Sequence, residues 1–302
     1  MNGEIIPWED AKVHVRTEGF MRGASVFEGI RAYASPDGRQ LYVFKGAEHT
    51  DRLFHTSMKI LRMQLTWTAE DLIHGMVQLL RANTFHADVH IRPQVYFGMG
   101  EDHGFDPARI EVGCVITAVE RPAKPSLWNG IHVRVSSWRR IGDETMPPRV
   151  KAGANYLNSR YAMMEARLDG YDSAIFLNAH GKVAEGPGAC VMIVRHGKVI
   201  APPATAGVLE SITKSTLVQL FRSELDVDVV EREIDRTELY VADEVFFCGT
   251  GYEVQPIVSV DRYTIGTGEP GSVVKRMQDL YFNIARGQNP KYSQWLRPVY
   301  PD

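Results

Sequence analysis

Lys151 lies among small residues, and its type and surroundings suit covalent chemistry with a carbonyl group. Ala152, Gly153 and Ala154 follow it, so a cofactor can approach its amine closely, and Tyr156 stands five positions further on. A lysine amine can form a Schiff base with an aldehyde, and a nearby tyrosine can reach the same ring. This is the layout expected of a lysine that forms a Schiff base with pyridoxal phosphate (PLP), but taken alone it proves little, because most lysines are solvated surface groups.

The bulk composition is that of an ordinary globular chain. Its 302 residues are 44% hydrophobic and 24% charged, enough for one large domain or two smaller ones. The net charge of -3 gives no reason to expect nucleic acid or an anionic membrane as a partner. Three scattered cysteines without a Cys-x-x-Cys pair argue against a disulfide framework and a metal site. No apolar run suits a membrane span and the start lacks a secretory pattern, so we expect a cytoplasmic protein.

Strand and helix patterns occur in blocks, which predicts an α+β protein. The proline-containing stretch 122–130 separates two β-rich runs and predicts a linker between a small domain (1–121) and a larger one (131–302). The predicted strands are 40–44, 89–97, 110–118, 131–137, 172–177, 190–194 and 244–248, with hairpin turns at 178–181 and 195–197. The predicted helices are 48–62, one that begins after Thr68, 211–225 and 273–284. The G-x-G-x-x-G pattern at 266–271 predicts a turn, since no βαβ unit can follow it.

The strand at 89–97 has one polar face. Alternation brings the following residues to that face: His90, Arg92, Gln94 and Tyr96. An arginine on a strand otherwise suited to a core favours a ligand cavity, but a solvated face of an antiparallel sheet is an equally good interpretation. Pro93 predicts either an edge strand or a bulge, because it cannot donate to a ladder.

Two further segments could bind an anion. Leu209 to Thr213 leads into a predicted helix, whose first N–H groups and threonine hydroxyl favour negative charge. Cys248 to Gly251 closes a strand with two glycines around Thr250, a turn that can also direct N–H groups at an anion. Neither segment is specific by itself. The glycine-rich loop 98–104, with His103, is of a kind that often covers a site.

Together these segments resemble the branched-chain amino-acid aminotransferases among the fold-type IV PLP enzymes. The matching stretches follow the family's order and span almost the whole chain: 25–33 (SVFEGIRAY), 91–93 (IRP), 151–156 (KAGANY), 184–188 (AEGPG), 209–213 (LESIT) and 241–246 (VADEVF) with Gly249 and Thr250 after it. The resemblance implies a small α/β domain and a larger β-barrel-like domain with flanking helices. It also implies a homodimer or larger homo-oligomer whose small-molecule substrates are amino acids or amines and keto acids.

The resemblance gives roles to the cofactor residues. Lys151 would be the Schiff-base lysine and would carry the proton between the substrate Cα and the cofactor C4′. Glu185 would pair with the pyridine nitrogen, Tyr156 with the phenolic oxygen, and Leu209 would pack on the ring face. The phosphate would be held by Arg52, Ile212, Thr213 and Thr250.

The substrate positions match the family less closely. Arg92 would bind the distal carboxylate of a glutamate donor, and the pocket would be lined by Phe27, Gly29, Arg31, His90 and Gly251. The family commonly has a tyrosine at the position of His90 and another near Arg22. At the position of Gly251 the family often has alanine. The implied reaction is ping-pong transamination of branched-chain L-amino acids with glutamate and 2-oxoglutarate. The departures leave open an (R)-amine or D-amino-acid transaminase. A PLP lyase of the aminodeoxychorismate lyase type and a PLP-binding scaffold without turnover are further alternatives.

Overall fold

The computed structural model describes residues 1–100 and 105–301, and it contains two compact units. The first comprises Met1–Pro122, Val150–Ala154 and the chain from Ile284 onward; the second comprises Ala123–Arg149 and Asn155–Asn283. This division differs from the predicted one, which assigned everything after residue 130 to the larger domain. The segment around Lys151 belongs to the first unit because its backbone pairs with the first strand of that unit.

The helices and strands have the following bounds. The strands are β1 (Ser25–Phe27), β2 (Ile30–Ala34), β3 (Leu41–Phe44), β4 (Val89–Gly100), β5 (Ile110–Glu120), β6 (Ile131–Arg139), β7 (Ser173–Leu177), β8 (Cys190–Arg195), β9 (Lys198–Ala201), β10 (Val229–Glu231), β11 (Glu244–Gly249), β12 (Glu253–Val260), β13 (Tyr263–Thr264) and β14 (Leu296–Pro298). The helices are α1 (Glu18–Met21), α2 (Gly46–Arg52), α3 (Lys59–Leu61), α4 (Ala69–Ala82), α5 (Ser126–Asn129), α6 (Tyr156–Leu168), α7 (Ile212–Glu224), α8 (Arg236–Tyr240) and α9 (Ser272–Ala285). A π-helical segment, Leu53–Met58, joins α2 to α3, within the region predicted as one helix.

The first unit contains a six-stranded sheet in the order β1-β4-β2-β3-β14, with β5 on the other side of β4. Helix α4 packs its apolar side, including Met76 and Leu80, into one core with Ile30 and Ile91 of the sheet. The predicted start of α4 is confirmed: Thr68 and Asp71 form a reciprocal capping box that satisfies N–H groups at the helix start. A rigid sheet therefore supports the residues that follow β1 and those on β4.

The second unit contains an eight-stranded sheet in the order β10-β9-β8-β11-β12-β6-β7, with β13 beside β12. The predicted helix near 211–225 is present as α7, and Ser211 caps it by accepting a hydrogen bond from the Lys214 N–H. The hairpin turn at 195–197 is also confirmed, since β8 and β9 are antiparallel neighbours. The turn at 178–181 instead returns the chain beside β7, where Leu177 bridges Val183, and that short return segment ends at Glu185.

Pro93 does not make β4 an edge strand, so that prediction was wrong. Strand β4 pairs with β5 along one side and with both β1 and β2 along the other, and the ladder beside Pro93 carries no bulge. Pro93 faces the gap between the end of β1 and the start of β2, where its carbonyl accepts the N–H of Glu28. A missing donor is tolerated there because no strand residue stands opposite to require it.

Two kinds of site are absent from the part of the chain that the structure describes. No group of histidine, cysteine and acidic side chains there could hold a metal ion. None of the described helices combines the length and apolar character that a membrane span requires. The three cysteines are free and buried.

Candidate active site

The backbone of Lys151 is held on both sides within the first unit. Its N–H donates to the Ser57 hydroxyl at 3.1 Å, and its carbonyl accepts the N–H of Phe27 at 3.0 Å. The next residues continue beside β1: Ala152 bridges Val26, and a Cβ on Gly153 would lie 2.9 Å from the Ser25 hydroxyl. The small residues that follow the lysine are therefore required for close approach to a strand. The backbone at Lys151 is thus fixed by contacts on both sides.

The polar face predicted on β4 meets Lys151 across one aromatic ring. The Arg92 guanidinium lies 3.7 Å from the centre of the Phe27 ring, and the Lys151 Nζ lies 5.1 Å from the same centre. Arg92 Nε donates to Gln94 at 3.2 Å, and Gln94 donates to Ser25 at 3.2 Å. The hydrogen bonds orient the guanidinium, and the ring holds it by cation–π contact. The structure thus brings Phe27, Arg92 and Lys151 together.

His90 lies at the other end of this face and is neutral at ordinary pH. Burial lowers the pKa of His90 to about 4, helped by the positive charges of Arg121, Arg31, Arg92 and Lys151. Arg31 stands directly opposite His90 in the ladder of β2 and β4, and it is almost fully buried near Asp88. A Cβ added to Gly29 would lie 3.1 Å from the His90 Nε2, so the imidazole lies directly over this glycine.

Arg52, predicted to bind phosphate, is held in a buried ion pair. Its Nε and Nη2 donate to the two carboxylate oxygens of Glu28, at 2.8 and 2.6 Å. His49 Nδ1 also lies 2.7 Å from Glu28. Burial raises the pKa of Glu28, but the Arg52 charge and the bonds from His49 and Arg52 outweigh it and hold the pKa at about 2. The carboxylate is therefore ionised throughout the working range of an enzyme.

Glu185, predicted to meet the pyridine nitrogen, is a buried carboxylate of the second unit. Arg140 Nη2 lies 2.7 Å from one of its oxygens, and the Leu209 N–H donates to the other at 3.0 Å. Arg140 is itself oriented by a bond to the carbonyl of Gly207 at 3.3 Å. A neighbouring guanidinium favours the charged form of a carboxylate. The arrangement suits a carboxylate that pairs with a protonated ring nitrogen.

The remaining predicted cofactor residues of the second unit lie at the ends of its elements. Ile212 and the buried Thr213 form the first turn of α7, and Tyr156 is the first residue of α6. Thr250 follows the last residue of β11, and a Cβ on the next residue, Gly251, would meet nothing within 4 Å. Helix starts and glycine turns present N–H groups, which is the donor chemistry that a phosphate requires.

The chain matches known proteins over nearly its whole length. Residues 25–260 match the family described as amino-transferase class IV. A probable branched-chain-amino-acid aminotransferase of Aquifex aeolicus is 42% identical, over 99% of this chain and 95% of the relative. The branched-chain-amino-acid aminotransferase of Escherichia coli K12 is 38% identical, over 99% and 96%. The PLP-form crystal structure of the branched-chain amino acid aminotransferase from Thermobaculum terrenum is 41% identical, with a TM-score of 0.92 over 99% and 97% of the two chains.

The chain belongs to the class IV aminotransferase family. The predicted family resemblance and the two-domain α+β fold of fold-type IV are therefore confirmed. The roles of individual residues stay predictions. His103 lies outside the described residues, so the expectation for its loop is untested as well.

Three residues of this class IV aminotransferase escaped the sequence reasoning as contributors to the site. Ser57, Glu28 and Arg140 each contact a predicted site residue, at sequence separations of 94, 24 and 45 positions respectively. Glu28 lies inside the matched stretch 25–33, and a charged residue between two apolar strands was the one available signal. Ser57 and Arg140 carry no such signal, because only the fold reveals what they contact.

Two departures from the family pattern have a visible structural setting. Arg22 forms an ion pair with Glu18 one turn earlier, and its guanidinium lies 5.5 Å from the centre of the Phe105 ring. Gly251 has space around it for a methyl group, so packing does not explain the absence of alanine. Both residues stay predictions as substrate contacts.

Proposed function

We propose that this protein is a PLP-dependent aminotransferase that exchanges amino groups between branched-chain L-amino acids and 2-keto acids, with glutamate and 2-oxoglutarate as the second pair. Two relatives carry the branched-chain name, and the similar Thermobaculum structure is a PLP form. The observation that carries the proposal is Lys151, whose backbone is fixed on both sides while its amine lies beside the Phe27 and Arg92 face.

The donors present fit PLP. Bound PLP would supply an electron sink for the carbanion that forms when the substrate Cα loses its proton. The buried Glu185 carboxylate, kept beside Arg140, would hold a proton on the ring nitrogen. Tyr156 would donate to the phenolic oxygen and Leu209 would pack on the ring face. Arg52, Ile212, Thr213 and Thr250 would supply the phosphate with a guanidinium, N–H groups and hydroxyls.

Lys151 would carry the proton in both half-reactions. Its Nζ would take the proton from the substrate Cα and deliver it to C4′ of the cofactor, and the reverse transfer would complete the second half-reaction. The fixed backbone limits the movement of the amine to its side chain, which favours one productive geometry. The face around Phe27 would exclude water from this transfer.

Arg92 would select the amino donor by binding the distal carboxylate of glutamate. Phe27, Gly29, Arg31, His90 and Gly251 would line the pocket for the side chain. A hydrophobic branched-chain side chain and a glutamate carboxylate would use the same pocket, the first by contact with Phe27 and the second by pairing with Arg92. The names of the relatives favour this reaction over an (R)-amine or D-amino-acid transaminase and over a lyase.

A panel of half-reactions tests the proposal. The visible absorbance of bound cofactor should change rapidly with L-leucine and L-glutamate, and slowly or not at all with (R)-1-phenylethylamine or D-amino acids. Arg92→Gln should slow the reaction with L-glutamate and spare that with L-leucine, which serves as the internal control. Reaction only with the (R)-amine or D-amino acids would refute the proposed substrates. A homo-oligomer and a cytoplasmic location stay predictions of the resemblance.

A further inference from the structure

Glu28 is an ionised carboxylate with no exposed surface, and it lies in the short connection between β1 and β2. It follows the last residue of β1 and precedes β2, and its N–H donates to the carbonyl of Pro93 at 2.9 Å. A buried charge is costly unless it is paired and hydrogen-bonded. The role of this carboxylate is therefore found in what it contacts.

The carboxylate of Glu28 is contacted by two side chains of α2. His49 and Arg52 are three positions apart, so one side of the helix presents them together to the carboxylate. Burial lowers the pKa of His49, which is thus neutral, and its Nδ1–H donates to the carboxylate. Arg52 supplies the only positive charge among these three side chains. The carboxylate cancels that charge.

The geometry of the pair fixes the plane of the Arg52 guanidinium. Two parallel bonds, from Nε and Nη2, join it to the two oxygens of Glu28. A guanidinium held in this way cannot rotate about its last bonds, and its Nη1 takes no part in these two hydrogen bonds. The Glu28 carboxylate neutralises the charge of Arg52 and so weakens the attraction of Arg52 for an anion. What Glu28 contributes to anion binding is therefore the fixed orientation of the guanidinium.

We propose that Glu28 is a positioning residue for the phosphate group of the cofactor and acts through Arg52. The bidentate contact sets the guanidinium so that its opposite side is directed at the phosphate. This inference rests on the proposed function, because it requires PLP as the ligand and Arg52 as a phosphate contact. Because Glu28 has no exposed surface, it would contact neither the cofactor nor the substrate directly.

Substitution Glu28→Gln tests the proposal, because the amide is the same size but presents a donor to one of the two Arg52 N–H groups. The holoenzyme is stripped of cofactor and titrated with PLP and, separately, with pyridoxal, which lacks the phosphate. The dissociation constant for PLP should rise by about 10-fold to 100-fold, the range of one charged hydrogen bond. The dissociation constant for pyridoxal should not change.

A structural role alone predicts a different pattern. The proposal would be overturned if Glu28→Gln lost affinity for PLP and pyridoxal equally. It would also be overturned if the affinity for PLP stayed the same, or rose because a negative charge is gone. In an Arg52→Met background, Glu28→Gln should no longer alter PLP affinity; an undiminished effect there would also overturn it. Wild-type protein that binds no PLP would reject the proposed function itself, and the role of Glu28 with it.

Two further variants separate positioning from damage to the fold. Glu28→Asp keeps the charge but is one methylene shorter, so it cannot maintain both bonds to Arg52, and it should weaken PLP binding without affecting pyridoxal. Glu238→Gln removes a matched carboxylate, which pairs with Arg195 and Arg232 and whose pKa is likewise about 2. This control should leave both dissociation constants unchanged. A loss of PLP affinity in the control as large as that in Glu28→Gln would contradict a specific role.

Discussion

Replacement of Ser57 by alanine should slow catalysis without disturbing substrate affinity. Ser57 is fully buried in the π-helical segment 53–58, and its hydroxyl accepts the Lys151 N–H at 3.1 Å. Alanine removes this oxygen and adds no bulk. The carbonyl of Lys151 keeps its bond from Phe27, so the backbone stays attached on one side and can pivot on the other.

The size of the effect follows from the one bond that is lost. A buried neutral hydrogen bond contributes about 1 kcal/mol net, and up to about 3 kcal/mol when its partner is left unsatisfied. We therefore expect the free energy of unfolding to fall by about 1 to 3 kcal/mol. A displaced amine transfers the proton from a poorer geometry, and small misplacements of a reacting group reduce rates by about 10-fold to 100-fold.

Single-turnover kinetics with L-leucine measure this effect directly. The maximal rate of the half-reaction should fall, while the leucine concentration that gives half the maximal rate stays near the wild-type value. Thr56→Ala is the matched control, because Thr56 belongs to the same segment and is only partly buried. A Ser57→Ala protein that is less stable but reacts at the wild-type rate would refute the reasoning, as would an equal slowing in Thr56→Ala.

Four other outcomes are expected. Lys151→Ala should abolish borohydride-trapped attachment of cofactor while circular dichroism stays unchanged; retained attachment would disprove its role. Glu185→Gln should slow the half-reaction more than it weakens PLP binding, and the reverse ranking would contradict an electron-withdrawing role. Gly29→Ala should displace His90 and alter substrate preference but not PLP affinity. The depressed pKa of Glu28 stabilises the fold above pH 4.5, and this contribution, about 3 kcal/mol for a pKa of about 2 against an ordinary 4.5, should be lost as pH falls towards 2. Urea unfolding of wild type and Glu28→Gln should converge over that interval.

Local patterns predicted seven of the strands and the helices α4, α7 and α9, because these patterns depend on neighbours in the chain. The cap at Thr68, the cap at Ser211 and the alternation along β4 all follow from side chains within a few positions. Pro93 was misjudged because the gap that accommodates it lies between two other strands. That proline lacks a backbone N–H can be read from the sequence. That no residue of β1 or β2 pairs with Pro93 is a property of the assembled sheet.

The candidate site likewise contains residues that the sequence singled out and residues that only the fold reveals. Lys151 and Arg92 were singled out by residue type and setting, and the structure places both beside the ring of Phe27. The partners that fix them could not be inferred, since Ser57 is 94 positions from Lys151 and lies in a helix whose π turn the sequence does not indicate. Sequence identifies groups that can react, while the residues that hold them still depend on contacts between distant segments.

The basic residues of the first unit illustrate why residue type alone does not give a role. The charge of Arg52 is cancelled locally by Glu28, so its value to a ligand lies in a fixed donor geometry. Around His90 the field is positive enough to help burial lower the pKa of the imidazole to about 4. His90 therefore adds no positive charge, and under the proposed function the attraction of a substrate carboxylate would come from the arginines nearby. The resemblance leads us to expect a tyrosine at this position; the neutral imidazole over Gly29 would contribute to selectivity through shape and hydrogen bonding.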